Sequence, residues 1–226
     1  MPPGFQYESE YVLRSRVVGV CKRMYAHGLI ASTDGNVSVR LTERRLLVTP
    51  SGVHKGLLEP SDLVVVDGMG RPQRGGRASS ELQMHLHIYE IRPDVRAIVH
   101  AHPPFAVACT LAKLALDVTY LPEVVFALGT IPTVPYSTPT TKDVSNAVDR
   151  VAQQHDAFML ERHGSVTLAS DVETAYNRLE ALEHTAKIVH AARQVGLIEP
   201  LPACEVKRLY QVAAAAGIRW RFLENS

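Results

Sequence analysis

Between residues 10 and 27 the apolar positions Val12, Leu13, Val17, Val20 and Met24 recur with the period of a helix. The spacing predicts one amphipathic helix, with Gly28 as its stop. The period then shortens. LIASTDGNVSVRL reads as a loop followed by a strand, RRLLVTPSG as a strand ending in a turn, and DLVVVDGMGRP as a third strand with a glycine-rich turn. Short strands joined by short turns predict an antiparallel sheet. SSELQMHLHIYEIRP predicts a helix that Ser79 or Ser80 caps, with Leu82, Leu86 and Tyr89 on one face and Pro93 at its end.

AIVHAHPPF reads as a strand that two prolines end, and FAVACTLAKLAL as the helix behind it. GTIPTVPY is short and extended, TTKDVSNAVDRVAQQ is an amphipathic helix, and AFMLERHGSVTLAS is a hairpin turning near His163-Gly164. Asp171 opens a long helix to about Gln194, which buries Val172, Ala175, Tyr176, Leu179, Leu182 and Val189 and stops at Gly196. No repeat, low-complexity tract or linker interrupts the pattern. The expectation is a single α/β domain over residues 1–226, its central sheet mainly antiparallel and its helices on the sheet faces.

Composition narrows the class of partner. The 226 residues are 46% hydrophobic and 21% charged, as in a soluble globular chain able to bury a core. The formal net charge is +1 and the basic residues are scattered, so no strong field awaits nucleic acid or an anionic membrane. Met1-Pro-Pro-Gly-Phe-Gln-Tyr7 lacks the basic start and apolar run of a secretory signal, and the uncharged stretches are too broken to span a bilayer. Cys21, Cys109 and Cys204 are far apart, odd in number and set in apolar helical contexts. They are expected as free, buried thiols in a reducing cytoplasm.

The candidate chemistry begins at AIVHAHPPF. Strand residues two apart share a face, so His100 and His102 present both imidazoles on one side and Ala97, Val99 and Ala101 face the other. Such a pair can grip one divalent ion, at roughly 2.0–2.1 Å per nitrogen for zinc. It can equally close an ordinary strand. The end of a buried strand is where α/β proteins place sites, and Pro103-Pro104 leaves that end without ladder partners. His163 sits at the predicted hairpin turn, also at a strand end. His85 and His87 lie two apart on a helix and do not face each other. His27, His155, His184 and His190 fall at a helix end, in a loop and on the long C-terminal helix.

Glu81 follows Ser79-Ser80 and reads either as an acid favoured by the helix dipole or as a general base, or as a fourth ligand that substrate displaces. HAHPPFAVAC lacks the glutamate that a cupin oxygenase needs and the Asp-His of a metallo-β-lactamase-type hydrolase. The chain is short for the β/α barrel of a metal-dependent amidohydrolase. Three segments, Thr33-Asp-Gly-Asn36, Thr49-Pro-Ser-Gly52 and Ser79-Ser80, are rich in small and hydroxyl residues at turns. Their N–H and hydroxyl groups suit a phosphate, and they suit ordinary turn chemistry as well. None matches a Walker loop or a dinucleotide fingerprint.

Taken together, GNVSVR, TPSG, SSE, RPDVRAIVHAHPPFA and LERHG resemble, in order and spacing over about residues 10–190, the class II aldolase/adducin family and its fuculose-1-phosphate aldolase-like branch. The resemblance implies a three-layer α/β/α fold and a cyclic homotetramer with active sites at subunit interfaces. It implies a divalent metal held by His100, His102 and His163, usually zinc, with manganese or cobalt as the other options. It also implies that Glu81 is the acid/base, and that Thr33, Gly35, Asn36, Ser51, Gly52, Ser79 and Ser80 occupy phosphate-binding positions. The activity implied is reversible cleavage of a ketose 1-phosphate to dihydroxyacetone phosphate and an aldehyde, with the metal as Lewis acid for the enediolate.

Two positions depart from the pattern. Leu121, beside Tyr120, stands where the aldolases carry a tyrosine after the histidine pair. Ala216 stands before Gly217-Ile218-Arg219, where they carry a C-terminal tyrosine. Glu123 lies near a glutamate used by methylthioribulose-phosphate dehydratases of the same superfamily, and by itself reads as an exposed loop acid. A dehydratase, 4-epimerase or decarboxylase of the superfamily is therefore the alternative. Epimerases tend to carry Asp where Glu81 stands. A non-catalytic adducin-like module is expected to lose the metal ligands, which are all present here.

Overall fold

The computed structural model describes residues 8–138 and 142–224. Its strands are β1 (Asn36–Thr42), β2 (Arg45–Val48), β3 (Val64–Asp67), β4 (Pro72–Arg74), β5 (Ala97–Ala101), β6 (Thr133–Val134), β7 (Ala157–Leu160) and β8 (Gly164–Ala169). They form one sheet in the order β4-β3-β2-β1-β5-β8-β7-β6. Every pairing is antiparallel except β6 with β7. The helices are α1 (Glu10–Ala26), α2 (Leu82–Ile91), α3 (Pro104–Leu111), α4 (Pro122–Ala127), α5 (Lys142–Gln154), α6 (Val172–Val195), α7 (Ala203–Ala215) and α8 (Arg221–Glu224).

The strand alternation expected from sequence sorts the core into two layers. Val37, Val39, Ala97, Val99 and Ala101 pack with Val17, Val20 and Met24 of α1 and Ala175, Tyr176 and Leu179 of α6. Ile98, Val166 and Leu168 face the other way, against Met84, Ile88 and Tyr89 of α2 and Val144 and Val148 of α5. The sheet is thus covered on both faces, and His100 belongs to the α2 side because it alternates with Val99 and Ala101. A third cluster joins α3, α4 and α6 beside β7 through Cys109, Val124, Leu128 and Leu182.

Several local readings change. Neither Ser79 nor Ser80 caps α2; Glu81 holds the cap position without a side-chain cap bond. The serines instead form the turn before it, where the Ser79 carbonyl accepts from the Leu82 N–H at 3.2 Å. The short elements β4, α4 and α8 carry too few periodic positions to be read in advance, and α7 buries too little to mark an apolar face. Cys21 and Cys109 are buried as expected, but Cys204 is exposed, because α7 lies on the surface and buries only Ala213. Among the described residues no helix is long and apolar enough to cross a membrane.

Candidate metal centre

β5 places His100 between β1 and β8, opposite Asn36 on one side and Val166 on the other. The ring is fully buried. Its Nδ1 lies 2.9 Å from the Ser165 carbonyl, which accepts only if Nδ1 carries the proton. That bond leaves the Nε2 lone pair free for a ligand. His102 lies just beyond β5, where its N–H donates to the Leu29 carbonyl at 3.1 Å. Its Nδ1 is 3.5 Å from an Asp34 carboxylate oxygen, and its Nε2 is 3.1 Å from His100 Nε2.

His163 comes from the turn between β7 and β8. Arg162 before it takes a left-handed φ of 61°, and its N–H is held by Thr110 Oγ1 at 3.0 Å. Gly164 after it permits the closest approach in the site. A Cβ there would stand 2.3 Å from the Ala101 carbonyl oxygen and 2.8 Å from His102 Cδ2. The three rings form a compact triangle with centroid separations of 5.0, 4.8 and 5.0 Å.

Glu81 closes the group. Its Oε2 lies 3.3 Å from His100 Nε2 and its Oε1 lies 3.2 Å from His163 Nε2. Asn36 Nδ2 donates to Oε2 at 2.8 Å and fixes the carboxylate from β1. The four ligand atoms of Glu81, His100, His102 and His163 lie within 4.8 Å of one another. Ligands tetrahedrally placed about 2.0–2.1 Å from one zinc ion are roughly 3.3 Å apart. The donor set and these 3.1–3.3 Å spacings therefore fit a divalent metal with nitrogen and oxygen ligands.

The electrostatics follow from the same contacts. Burial would raise the Glu81 carboxyl, but the His100 charge and the hydrogen bonds of His100 and His163 hold it well below the carboxylate range. Burial opposes the charged form of His100, yet Glu81 lifts it above its ordinary value. His102 drops to about 4, through burial and then the charges of His100 and His163.

Three other histidines are engaged elsewhere. Buried His85 contacts Ser38 Oγ at 2.7 Å, His87 contacts Asp149 at 3.0 Å, and His27 contacts Glu180 at 2.8 Å. Glu123 is exposed on the first turn of α4, a helix rather than a loop, and is absent from the ligand cluster.

The hydroxyl-rich segments also converge. Ser51 N–H donates to the Arg77 carbonyl at 2.9 Å and Ser79 N–H to the Thr49 carbonyl at 3.2 Å, on either side of a Pro50–Ala78 bridge. Ser79 Oγ accepts from the Glu81 N–H at 3.3 Å. The loop of Thr33, Gly35 and Asn36 runs directly into β1 and reaches Glu81 through Asn36. Gly35 has a φ of 68°, and a Cβ there would meet the His100 carbonyl at 2.8 Å. Gly52 likewise turns with a φ of 69°. Sequence reasoning missed Asp34, which faces His102, and Lys55, which ties two of these loops together. Asp34 sits inside a quoted segment, whereas nothing in the pattern marks Lys55 as buried.

The tyrosine question is clearer at the C-terminal end. Ala216 is the C-cap of α7, and the nearby Tyr210 spends its hydroxyl on the Gly129 carbonyl at 2.8 Å. Trp220 likewise bonds the Val125 carbonyl at 2.9 Å.

A sheet of this topology with three histidines and a glutamate gathered at its strand ends defines a class of protein, and the family comparison agrees. The family described as Class II Aldolase and Adducin N-terminal domain matches residues 15–190, and the chain belongs to it. The chain is 31% identical to the 3-oxo-tetronate 4-phosphate decarboxylase of Escherichia coli (strain K12), across 80% of this chain and 87% of that one. It is 33% identical to the 5-deoxy-D-ribulose 1-phosphate aldolase of Bacillus thuringiensis serovar kurstaki, across 87% and 92%. The solved L-fuculose-1-phosphate aldolase of Thermus thermophilus superposes with a TM-score of 0.73 at 33% identity, across 80% of this chain and 94% of that one.

Proposed function

We propose that this protein is a metal-dependent lyase that cleaves a ketose 1-phosphate to dihydroxyacetone phosphate and an aldehyde. The observation that carries the reading is the Glu81 carboxylate, held between His100 and His163 with Asn36 behind it. His100, His102 and His163 are the proposed metal ligands, and zinc, manganese or cobalt would suit them. A bound divalent ion supplies Lewis-acid stabilisation of charge developing on a substrate oxygen.

Glu81 does the proton work. In retro-aldol cleavage the C4 hydroxyl loses its proton as the C3–C4 bond breaks, and C3 must then gain one. A single carboxyl group placed beside both centres can take the first proton and return the second. Thr33, Gly35, Asn36, Ser51, Gly52, Ser79 and Ser80 would hold the substrate phosphate. Among the described residues, the hydroxyls of Thr33, Ser51 and Ser80 make no hydrogen bond of their own.

Decarboxylation of a 3-oxo sugar-acid phosphate is the second reading. It is favoured by the decarboxylase relatives and by Ala216, which offers no phenol at the position where the aldolase resemblance expects one. It also leaves an electron pair next to a carbonyl, with carbon dioxide departing instead of an aldehyde, so Glu81 would need only to protonate carbon. A screen of phosphorylated ketoses and 3-oxo sugar-acid phosphates separates the two. Release of dihydroxyacetone phosphate supports the aldolase; release of carbon dioxide alone replaces it with the decarboxylase.

We take the working assembly to be a homotetramer in the cytoplasm. Exposed Ile188, Val195 and Leu197, along and just past α6, support an oligomer by offering apolar surface to a second copy. Sedimentation at micromolar concentration tests this, and a purely monomeric boundary would contradict it.

A further inference from the structure

Lys55 is only 2% exposed. Its Nζ donates to the Thr33 carbonyl at 3.0 Å and to the Val53 carbonyl at 2.9 Å, and its backbone N–H donates to the Ser32 carbonyl at 3.3 Å. One side chain therefore joins the loop of residues 31–36 to the loop of residues 51–55. Ser32 has a φ of 49°, a left-handed conformation that a non-glycine residue keeps only when its surroundings hold it. Lys55 is part of that hold.

The charge is the second observation. No carboxylate lies within ion-pair reach of Lys55 among the described residues. Cys21 packs beside it, but burial pushes that thiol up to about 12, so it stays neutral. Asp34 acts on it only at longer range and has its own contact with His102. A buried cation without a partner is costly unless an anion arrives. The two loops it joins carry Thr33, Gly35, Ser51 and Gly52, whose hydroxyls and positive-φ turns suit an anion.

We propose that Lys55 is the positioning residue of a phosphate subsite: it clamps the two loops into one concave surface and supplies the positive charge beneath a substrate dianion. The assignment rests on the phosphate reading given above. It adds that substrate selection for phosphate is set by a buried lysine rather than by exposed Arg77, whose carbonyl accepts from the Ser51 N–H.

Inorganic phosphate is the probe. In Lys55→Met its affinity, measured by calorimetry, should fall about tenfold or more. KM for a phosphorylated ketose should rise while kcat changes less, and the loss in kcat/KM should be several-fold larger for that ketose than for the same ketose without phosphate. The visible absorption spectrum of the cobalt(II)-loaded variant should match wild type, which a general loss of structure would not allow. A variant that binds phosphate as wild type does, or loses it only together with its metal, overturns the assignment.

If the variant fails to fold, hydrogen exchange on the wild-type protein decides. Phosphate must then slow exchange in residues 31–36 and 51–56 together, and protection of only one loop or of neither overturns the clamp. Wild-type protein that binds phosphate through both loops but cleaves no sugar phosphate would sink the functional reading and leave the clamp standing.

Discussion

Glu81 is the residue on which the proposed chemistry turns. Glu81→Gln keeps the shape and a hydrogen-bonding oxygen but removes the base. It should retain metal and lose about 10²–10⁴-fold in kcat, the usual worth of a positioned acid or base. Steady-state kinetics with metal analysis checks this, and substantial retained turnover removes Glu81 from the mechanism. A pH effect belongs at the same scale. In chelated protein Glu81 is depressed from 4.5 and His100 is raised from 6.5. The Glu81 contribution to stability is present above 4.5 and lost as pH falls through its folded value; the His100 contribution is present below 6.5 and lost as pH rises through its folded value. His102 and His85 are depressed and cost stability below 6.5, so metal-free protein should resist urea best near pH 6.5 and weaken from there to pH 8, and Glu81→Gln should flatten that fall. The residues themselves were largely legible. The period of two set His100 on the face away from Val99 and Ala101; that α2 covers this face, and that His163 and Glu81 meet His100 there, needed the packing and the order of the strands. Lys55 and Asp34 were not legible, because burial of a lysine and the facing of a loop acid are set by distant segments.

Among the elements, α6 and α3 fix the far side of the site. Glu183 of α6 is 1% exposed, and its carboxylate accepts the N–H groups of Phe105 at 3.2 Å and Ala106 at 2.9 Å. It thereby holds the first turn of α3, where Pro103 and Pro104 contribute no N–H, directly after His102. Glu183→Ala leaves those buried donors unpaired and should lower stability by about 1–3 kcal/mol in urea unfolding. An unchanged midpoint would show that the bonds are worth nothing. Long helices were readable because many periodic positions agree, as in α6 from Asp171 to Gly196. The start of α2 was misread for a physical reason. Serines are good caps in isolation, but here the Pro50–Ala78 bridge draws Ser79 into a turn, and the cap position moves to Glu81.

At the scale of the whole molecule, one mainly antiparallel sheet between two helical layers brings the candidate ligands from the end of β5, from the β7–β8 turn and from the start of α2 to one point. The segments are far apart in sequence, so the site exists only when the sheet order is complete. That makes metal retention a test of the entire account. Wild-type protein and His100→Ala should be analysed for bound zinc, manganese and cobalt by mass spectrometry, with lyase turnover measured on the same samples. The expected result is a stoichiometric divalent metal and carbon–carbon cleavage in wild type, with both lost in His100→Ala. Unchanged metal content in His100→Ala, or full turnover by metal-free wild-type protein, would contradict it.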